Sequence, residues 1–236
     1  MWNPSTCQVV QEITYDNPVY ALNVSLDEEF VWAAGRDAFS ICSTNTWRSV
    51  RFCDCKGMVR SLLVVENTVW SAWDDGIIRV HDCESGELVQ SLHGHTKYLL
   101  TLLKLQGTHV WSAGADETIR VWDAQTYSCI GELRGHRGVI NDLQFLQASD
   151  MIVSCCSDMT MRLWDRTTQQ CRRVIQAHTS PIFAMCSIGN LLWTAGVDTL
   201  RTWRLRSTVC CSCVGKYSLL VGSCSVSTAD PSNGRR

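Results

Sequence analysis

The stretch "VWSAGADETIRVWD", Val110 to Asp123, decides the fold because the chain writes it more than once. Close versions stand at Val69 to Asp82, "VWSAWDDGIIRVHD", and at Ile152 to Asp165, "IVSCCSDMTMRLWD". Two looser versions flank these: "VWAAGRDAFSICS" from Val31 to Ser43 and "LWTAGVDTLRTWR" from Leu192 to Arg204, each one residue shorter between its Asp and its end. Anchored on Trp32, Trp70, Trp111, Val153 and Trp193, the steps are 38, 41, 42 and 40 residues. A steady period in this range marks a repeat architecture, each unit being one supersecondary motif.

Within one repeat, Gly138 to His178, short apolar runs rich in β-favouring residues alternate with polar punctuation. Strands are predicted over Val139–Phe145, Met151–Cys155, Met161–Trp164 and Cys171–Ile175. "SDMT" and "DRTTQ" between them supply turn chemistry, since Asp and Thr side chains bond their own backbone in tight reversals. Four strands about ten residues apart, with no helical stripe, make an antiparallel meander. One such sheet has apolar faces it can bury only against neighbours, so the repeats must stack to share a core.

Composition narrows the function classes. A chain of 236 residues can bury a sizeable core, and 45% hydrophobic content is ordinary for a soluble protein. A net charge of −2 argues against a broadly basic surface, so nucleic acid is not an expected partner. The sequence holds no apolar run of about 18 residues, and "WNPSTCQ" after Met1 lacks the basic and apolar regions of a signal peptide. The expectation is a chain without a transmembrane segment, in the cytoplasm or nucleus. Its 14 cysteines then read as small apolar residues rather than as a disulfide framework.

Gly94-His95, Gly135-His136 and the partial match Ala177-His178 precede repeats, and Trp122-Asp123 and Trp164-Asp165 close third strands. In these pairs and in its period the chain, from about Val19 to Arg206, resembles the WD40 family. The resemblance implies an all-β fold: a β-propeller of four-stranded antiparallel blades set radially about a channel. Blades are expected at 19–53, 59–92, 99–133, 139–175 and 182–213, with an outer strand near 7–14 from a partial blade. The propeller would occupy 1–206, and 207–236 would be an irregular tail, with an outer strand at Val209–Cys213 and a new inner strand at Tyr217–Gly222. Five blades fall short of the seven that commonly close such a ring, which implies an incomplete or open ring, or part of a longer protein.

The same resemblance implies a hydrogen-bonded quartet in each blade: a His from the entering loop, a Ser or Thr on the second strand, an Asp in the next turn and the third-strand Trp. His95, Ser112, Asp116 and Trp122 match it, as do His136, Ser154, Asp158 and Trp164, and with a one-residue shift His178, Thr194, Asp198 and Trp203. The second repeat keeps Ser71 and Asp75 but has His81 for the Trp and Cys55 for the entering His. The first has Asp16, Ala33 and Cys42 at the His, Ser and Trp positions. These two repeats are expected to rely on apolar packing.

Ser, His and Asp together also suggest a hydrolase, but a catalytic triad occurs once per site with its nucleophile exposed to substrate. A set recurring inside successive repeats reads instead as internal fastening, and no catalytic residue is assigned. No cofactor is expected either, since the chain lacks a Gly-rich phosphate loop, and no metal, since Cys53-x-Cys55 and Cys210-x-x-Cys213 lack a second ligand pair. The expected function is a non-catalytic scaffold for other proteins or peptides, with no small-molecule substrate. The loops beside the Gly-His and turn Asp would form the contact rim: Arg36, Trp73, Asp74, Lys97, Tyr98 and Arg137. Trp73 has a second reading, as a filler for the space its own repeat's missing Trp leaves. An alternative role is the regulatory or targeting propeller of a larger enzyme, because the copies resemble the N-terminal propeller of some phosphoinositide 5-phosphatases.

Overall fold

Short runs rich in apolar, β-favouring residues, set between turn residues, favour strands, and strands are what form. The structure is a computed structural model that describes residues 2–3, 8–9, 18–26, 28–46, 49–105, 107–147, 149–189, 191–197, 199–206 and 218–220. Among these residues every regular element is a β-strand, so no helix is long and apolar enough to cross a membrane. The chain divides into two compact units, Met1–Gly135 and His136–Arg236.

In the first unit, β1 (Trp2–Asn3) and β2 (Gln8–Val9) pair alone. β3 (Val19–Val24), β4 (Phe30–Ser43), β5 (Ser49–Val65), β6 (Thr68–Trp73), β7 (Ile78–Asp82) and β8 (Leu88–Leu92) form one ladder in chain order. β9 (Leu99–Lys104), β10 (His109–Gly114), β11 (Ile119–Asp123) and β12 (Cys129–Leu133) form a four-stranded antiparallel sheet. The second unit holds two more. One is β13 (Ile140–Leu146), β14 (Met151–Cys156), β15 (Thr160–Asp165) and β16 (Cys171–Gln176). The other is β17 (Ala184–Ile188), β18 (Leu191–Ala195), β19 (Leu200–Arg206) and β20 (Ser218–Leu220).

The six-stranded ladder departs from the meander only in appearance. Fully extended, the 14 residues of β4 would span about 45 Å. Yet Thr44 N donates to Glu29 O at 2.9 Å, so the two ends of β4 meet. The chain therefore reverses within β4, at Asp37, whose φ of 58° supplies the turn. β5 then runs on from one sheet to the next, pairing with β4 over its first part and with β6 from Val59 onward. Gly57 sits where the pairing changes hands: its φ is 117°, and a Cβ there would stand 2.7 Å from an Asp74 carboxylate oxygen.

One expectation at the end of the chain needs correction. Ser218–Leu220, expected within a new inner strand at Tyr217–Gly222 that follows an outer strand at Val209–Cys213, instead pairs with Arg204–Arg206 as the fourth strand on β19. The edge of β19 offers unpaired backbone groups, and three extended residues suffice to pair with them. Val209–Cys213 lie outside the described residues, as do residues 10–17 of the predicted opening region.

Burial follows the repeat. Trp32, Phe39, Ile41, Val59, Leu62, Val64, Val69 and Trp73 form one core, with residues from both parts of the six-stranded ladder. Trp70, Ile78, Val80, Leu99, Leu102, Val110 and Trp122 form the next. In the second unit Val153, Met161, Leu163, Ile182, Met185 and Trp203 do the same. Each core joins the face of one sheet to the face of the following one, as stacking repeats require.

Candidate functional site

The polar residues shared by the repeats lie at one end of each sheet, on the second strand, the turn that follows it and the third strand. In the β9–β12 sheet His95 is clamped at both ring nitrogens, Nδ1 lying 2.8 Å from Asp116 Oδ2 and Nε2 lying 2.7 Å from Ser112 Oγ. A carboxylate only accepts, so Nδ1 carries the proton and Nε2 accepts from the Ser112 hydroxyl. Trp122 Nε1 donates to the same Oγ at 2.8 Å. The β13–β16 sheet repeats this: His136 to Asp158 at 2.9 Å and to Ser154 at 2.6 Å, with Trp164 Nε1 donating to Ser154 at 2.8 Å. In the last sheet His178 Nε2 meets Thr194 Oγ1 at 2.8 Å, and Trp203 Nε1 donates to that oxygen at 2.9 Å. Asp198 lies outside the described residues; Thr199 Oγ1 stands 2.9 Å from His178 Nδ1.

The carboxylates are tuned by this bonding. Burial alone would raise the Asp116 pKa, but the His95 bond and charge and the amides of Thr96 and Thr118 outweigh it and hold it at about 2. Burial works the same way on Asp158, and the Thr160 hydroxyl, the Arg137 amide and His136 bring it well below the usual carboxylate range. Burial depresses the His136 pKa despite the opposing pull of Asp158. Thr118 and Thr160, each two residues after its Asp, donate their hydroxyls to Asp116 and Asp158 at 3.0 and 2.6 Å. Thr recurs at that spacing in the sequence, which is the signal that marks these two residues. Ser112 and Ser154 are fully buried, each oxygen accepting an indole N–H while its proton goes to an imidazole, so neither hydroxyl is presented to a substrate.

The second repeat is not held by apolar packing alone. Trp73 is 1% exposed, and its Nε1 donates to Ser71 Oγ at 2.8 Å, the bond the third-strand Trp makes elsewhere. Arg79 lies over the Trp73 ring at 4.5 Å and bonds Asp75 at 2.7 and 3.3 Å, taking the place of the absent His. Trp73 therefore leaves the expected contact rim: a side chain this buried and this bonded packs its own sheet. His81, at the Trp position, is buried against Phe39 with ring centroids 4.8 Å apart, and burial, aided by the Arg79 charge, pushes its pKa down to about 4. In the first repeat Ala33 and Cys42 are buried and Trp32 stacks on Phe39 at 5.6 Å. Asp16 lies outside the described residues.

The remaining rim residues are exposed. In the first unit Arg36 pairs in register with Met58, and Asp74 N donates to Met58 O at 3.0 Å, which sets Arg36 and Asp74 on adjoining loops. A Cβ on Gly76 would lie 2.9 Å from Lys97 O, so the loop bearing Lys97 abuts the loop after Asp74. Tyr98 follows, 36% exposed, with the Arg60 guanidinium 5.2 Å from its ring centre. Arg60 was not singled out from the sequence because it lies inside a strand, where an exposed Arg looks like any solvated side chain. Arg137 belongs to the second unit, where its amide donates to Asp158 at 3.0 Å and its side chain is exposed.

No curated protein matches the chain. The family model described as WD domain, G-beta repeat, matches residues 86–123 and 127–165. Those segments end on the Trp122-Asp123 and Trp164-Asp165 pairs and contain Ser112, Asp116, Ser154 and Asp158. These two segments carry repeats of the WD40 family.

Proposed function

We propose that the chain is a non-catalytic scaffold that binds proteins or peptides through the loop end of its first unit. WD40 repeats are generally protein-interaction scaffolds. The observation that carries the reading here is the Tyr98–Arg60 pair, an exposed aromatic ring under a guanidinium, set among the exposed Arg36, Asp74 and Lys97. Tyr and Arg are over-represented among residues that dominate binding energy. The loops that carry them are fixed by backbone bonds to sheets, so little conformational entropy is lost when a partner docks. The partner is another polypeptide, and the cytoplasm or nucleus is where it would be met.

Affinity capture with wild type beside Tyr98→Ala and Arg60→Ala tests this. Loss of the same companions from both variants, with unfolding temperatures near wild type, supports the surface. Identical companions in all three samples overturn it. Phosphoester turnover by the purified chain that survives changes of buffer and added metal would contradict the non-catalytic reading.

A further inference from the structure

We propose that His136, Cys156 and Asp158 form a binding site for one zinc-class divalent cation, built onto the quartet of the β13–β16 sheet. A nitrogen of His136, the Cys156 sulfur and a carboxylate oxygen of Asp158 all lie within 4.8 Å of one another. One imidazole, one thiolate and one carboxylate are the donors of a borderline-soft cation that takes four ligands in a tetrahedron, with water as the fourth.

The placement of the thiol follows from the repeat. Cys156 stands two residues after Ser154 at the end of the second strand, and the same position holds Gly196 after Thr194 and Gly114 after Ser112. A Cβ built on Gly196 would lie 2.8 Å from His178 Nδ1 and one on Gly114 2.2 Å from Tyr98 O, so the position faces the entering segment that brings in the His. Only the β13–β16 sheet, among the three with a quartet His, fills it with a metal-binding residue. Gly138 leaves room on the other side: a Cβ there would be 3.6 Å from the Cys156 sulfur, and the residue is partly exposed, which gives an approach from the loop end.

The charges and protons balance. Asp158 is ionised already, and the Cys156 thiol releases its proton to water as the metal–sulfur bond forms. A dication with one thiolate and one carboxylate is neutral, which suits a site whose imidazole and thiol are buried. The cation replaces the proton between Nδ1 and Asp158. The imidazole then carries its proton on Nε2 and donates it to Ser154 Oγ, 2.6 Å away, while the Ser154 hydroxyl turns its own hydrogen toward the carbonyl of its register partner Arg162, as Ser71 does toward Arg79 O at 2.9 Å; such an outer bond orients a metal-bound imidazole.

Titrating the chelator-stripped protein with cobalt(II) tests the site. One equivalent should bind with a thiolate-to-cobalt charge-transfer band, and zinc should displace it. Cys156→Ser and Cys156→Gly, the latter copying the residue of the sister sheets, should abolish the band, and their unfolding temperatures in chelator should stay near wild type. The zinc edge absorption spectrum of wild type, which needs no variant, should show one sulfur at about 2.3 Å and lighter donors at about 2.0 Å. Absence of the band at millimolar cobalt, its persistence in the Cys156 variants, or a zinc shell with no sulfur or several would overturn the proposal.

Discussion

A single hydroxyl can hold two partners in place, and the second repeat shows how much of that survives when the neighbours change. Ser71 keeps its bond to an indole N–H although the indole belongs to Trp73 on its own strand rather than to the third strand. Trp73→Phe is expected to cost about 1–3 kcal/mol, because it leaves Ser71 short of a donor and replaces the indole under Arg79 by a smaller ring. Equilibrium denaturation checks it, and a change within error would mean the bond contributes nothing. His81 gives a pH signature with a definite sign. Its folded pKa of about 4 lies below the ordinary 6.5, so as pH falls the unfolded chain takes up the proton first. The stability it contributes is full above about pH 6.5 and is lost towards pH 4, by about 3 kcal/mol for a shift of this size. Subtracting the stability–pH curve of His81→Phe from that of wild type should isolate this slope; a flat difference would show that His81 is not buried neutral. The sequence made the quartet residues legible because they recur. It concealed Trp73 because the other repeats put Gly or Cys at its position, and Arg79 because Arg120, Arg162 and Arg201 stand at the same register position, so nothing marks it as the stand-in for the absent His.

At the scale of the element, each strand end is fixed by a device that repeats. The Asp closing the third strand accepts amides two and three residues on: Asp123 from Gln125 and Thr126 at 2.9 and 2.8 Å, Asp165 from Thr167 and Thr168 at 3.0 and 2.8 Å. Asp82 does the same with Glu84 and Ser85 although His81 has replaced the Trp before it, so the turn and the core make separate demands on the pair. A register shift falls beside the third-strand aromatic in each case, between Val80 and His81, Val121 and Trp122, and Leu163 and Trp164, re-aiming the side chain toward the second strand. Periodicity located the strands to within about one residue in the β13–β16 repeat, but it could not show these bulges, which leave no residue type behind. Gly114 is the exception that sequence does mark. A Cβ there would meet Tyr98 O at 2.2 Å, so Gly114→Ala is expected to force β9 and β10 apart and to cost about 2–3 kcal/mol. Hydrogen exchange at Ala115, whose amide bonds Tyr98 O at 2.9 Å, should accelerate; wild-type protection there would contradict the close approach.

At the scale of the whole molecule, the repeats share one period and are unequal in burial. In register Leu22, Leu62 and Leu102 are equivalent, lying opposite Ala33, Ser71 and Ser112. Leu62 and Leu102 are 9% and 8% exposed, while Leu22 is 66% exposed. Leu62→Ala should therefore cost about 2–5 kcal/mol and Leu22→Ala less than about 0.5 kcal/mol, measured by denaturant unfolding. Equal costs would mean that β3 buries this face as the other inner strands do. Position in a repeat was legible from the period; burial was not, because it depends on which neighbour faces the strand. The central claim is that the repeated Ser, His, Asp and Trp fasten from within the sheets that carry them. The unfolding free energies of Ser112→Ala in the first unit and Ser154→Ala in the second, beside the exposed Ser85→Ala, test it most directly. Each buried change should strand an imidazole nitrogen and an indole N–H and cost about 2–4 kcal/mol, with Ser85→Ala near zero. Buried-site variants as stable as wild type would show that these hydroxyls hold nothing together.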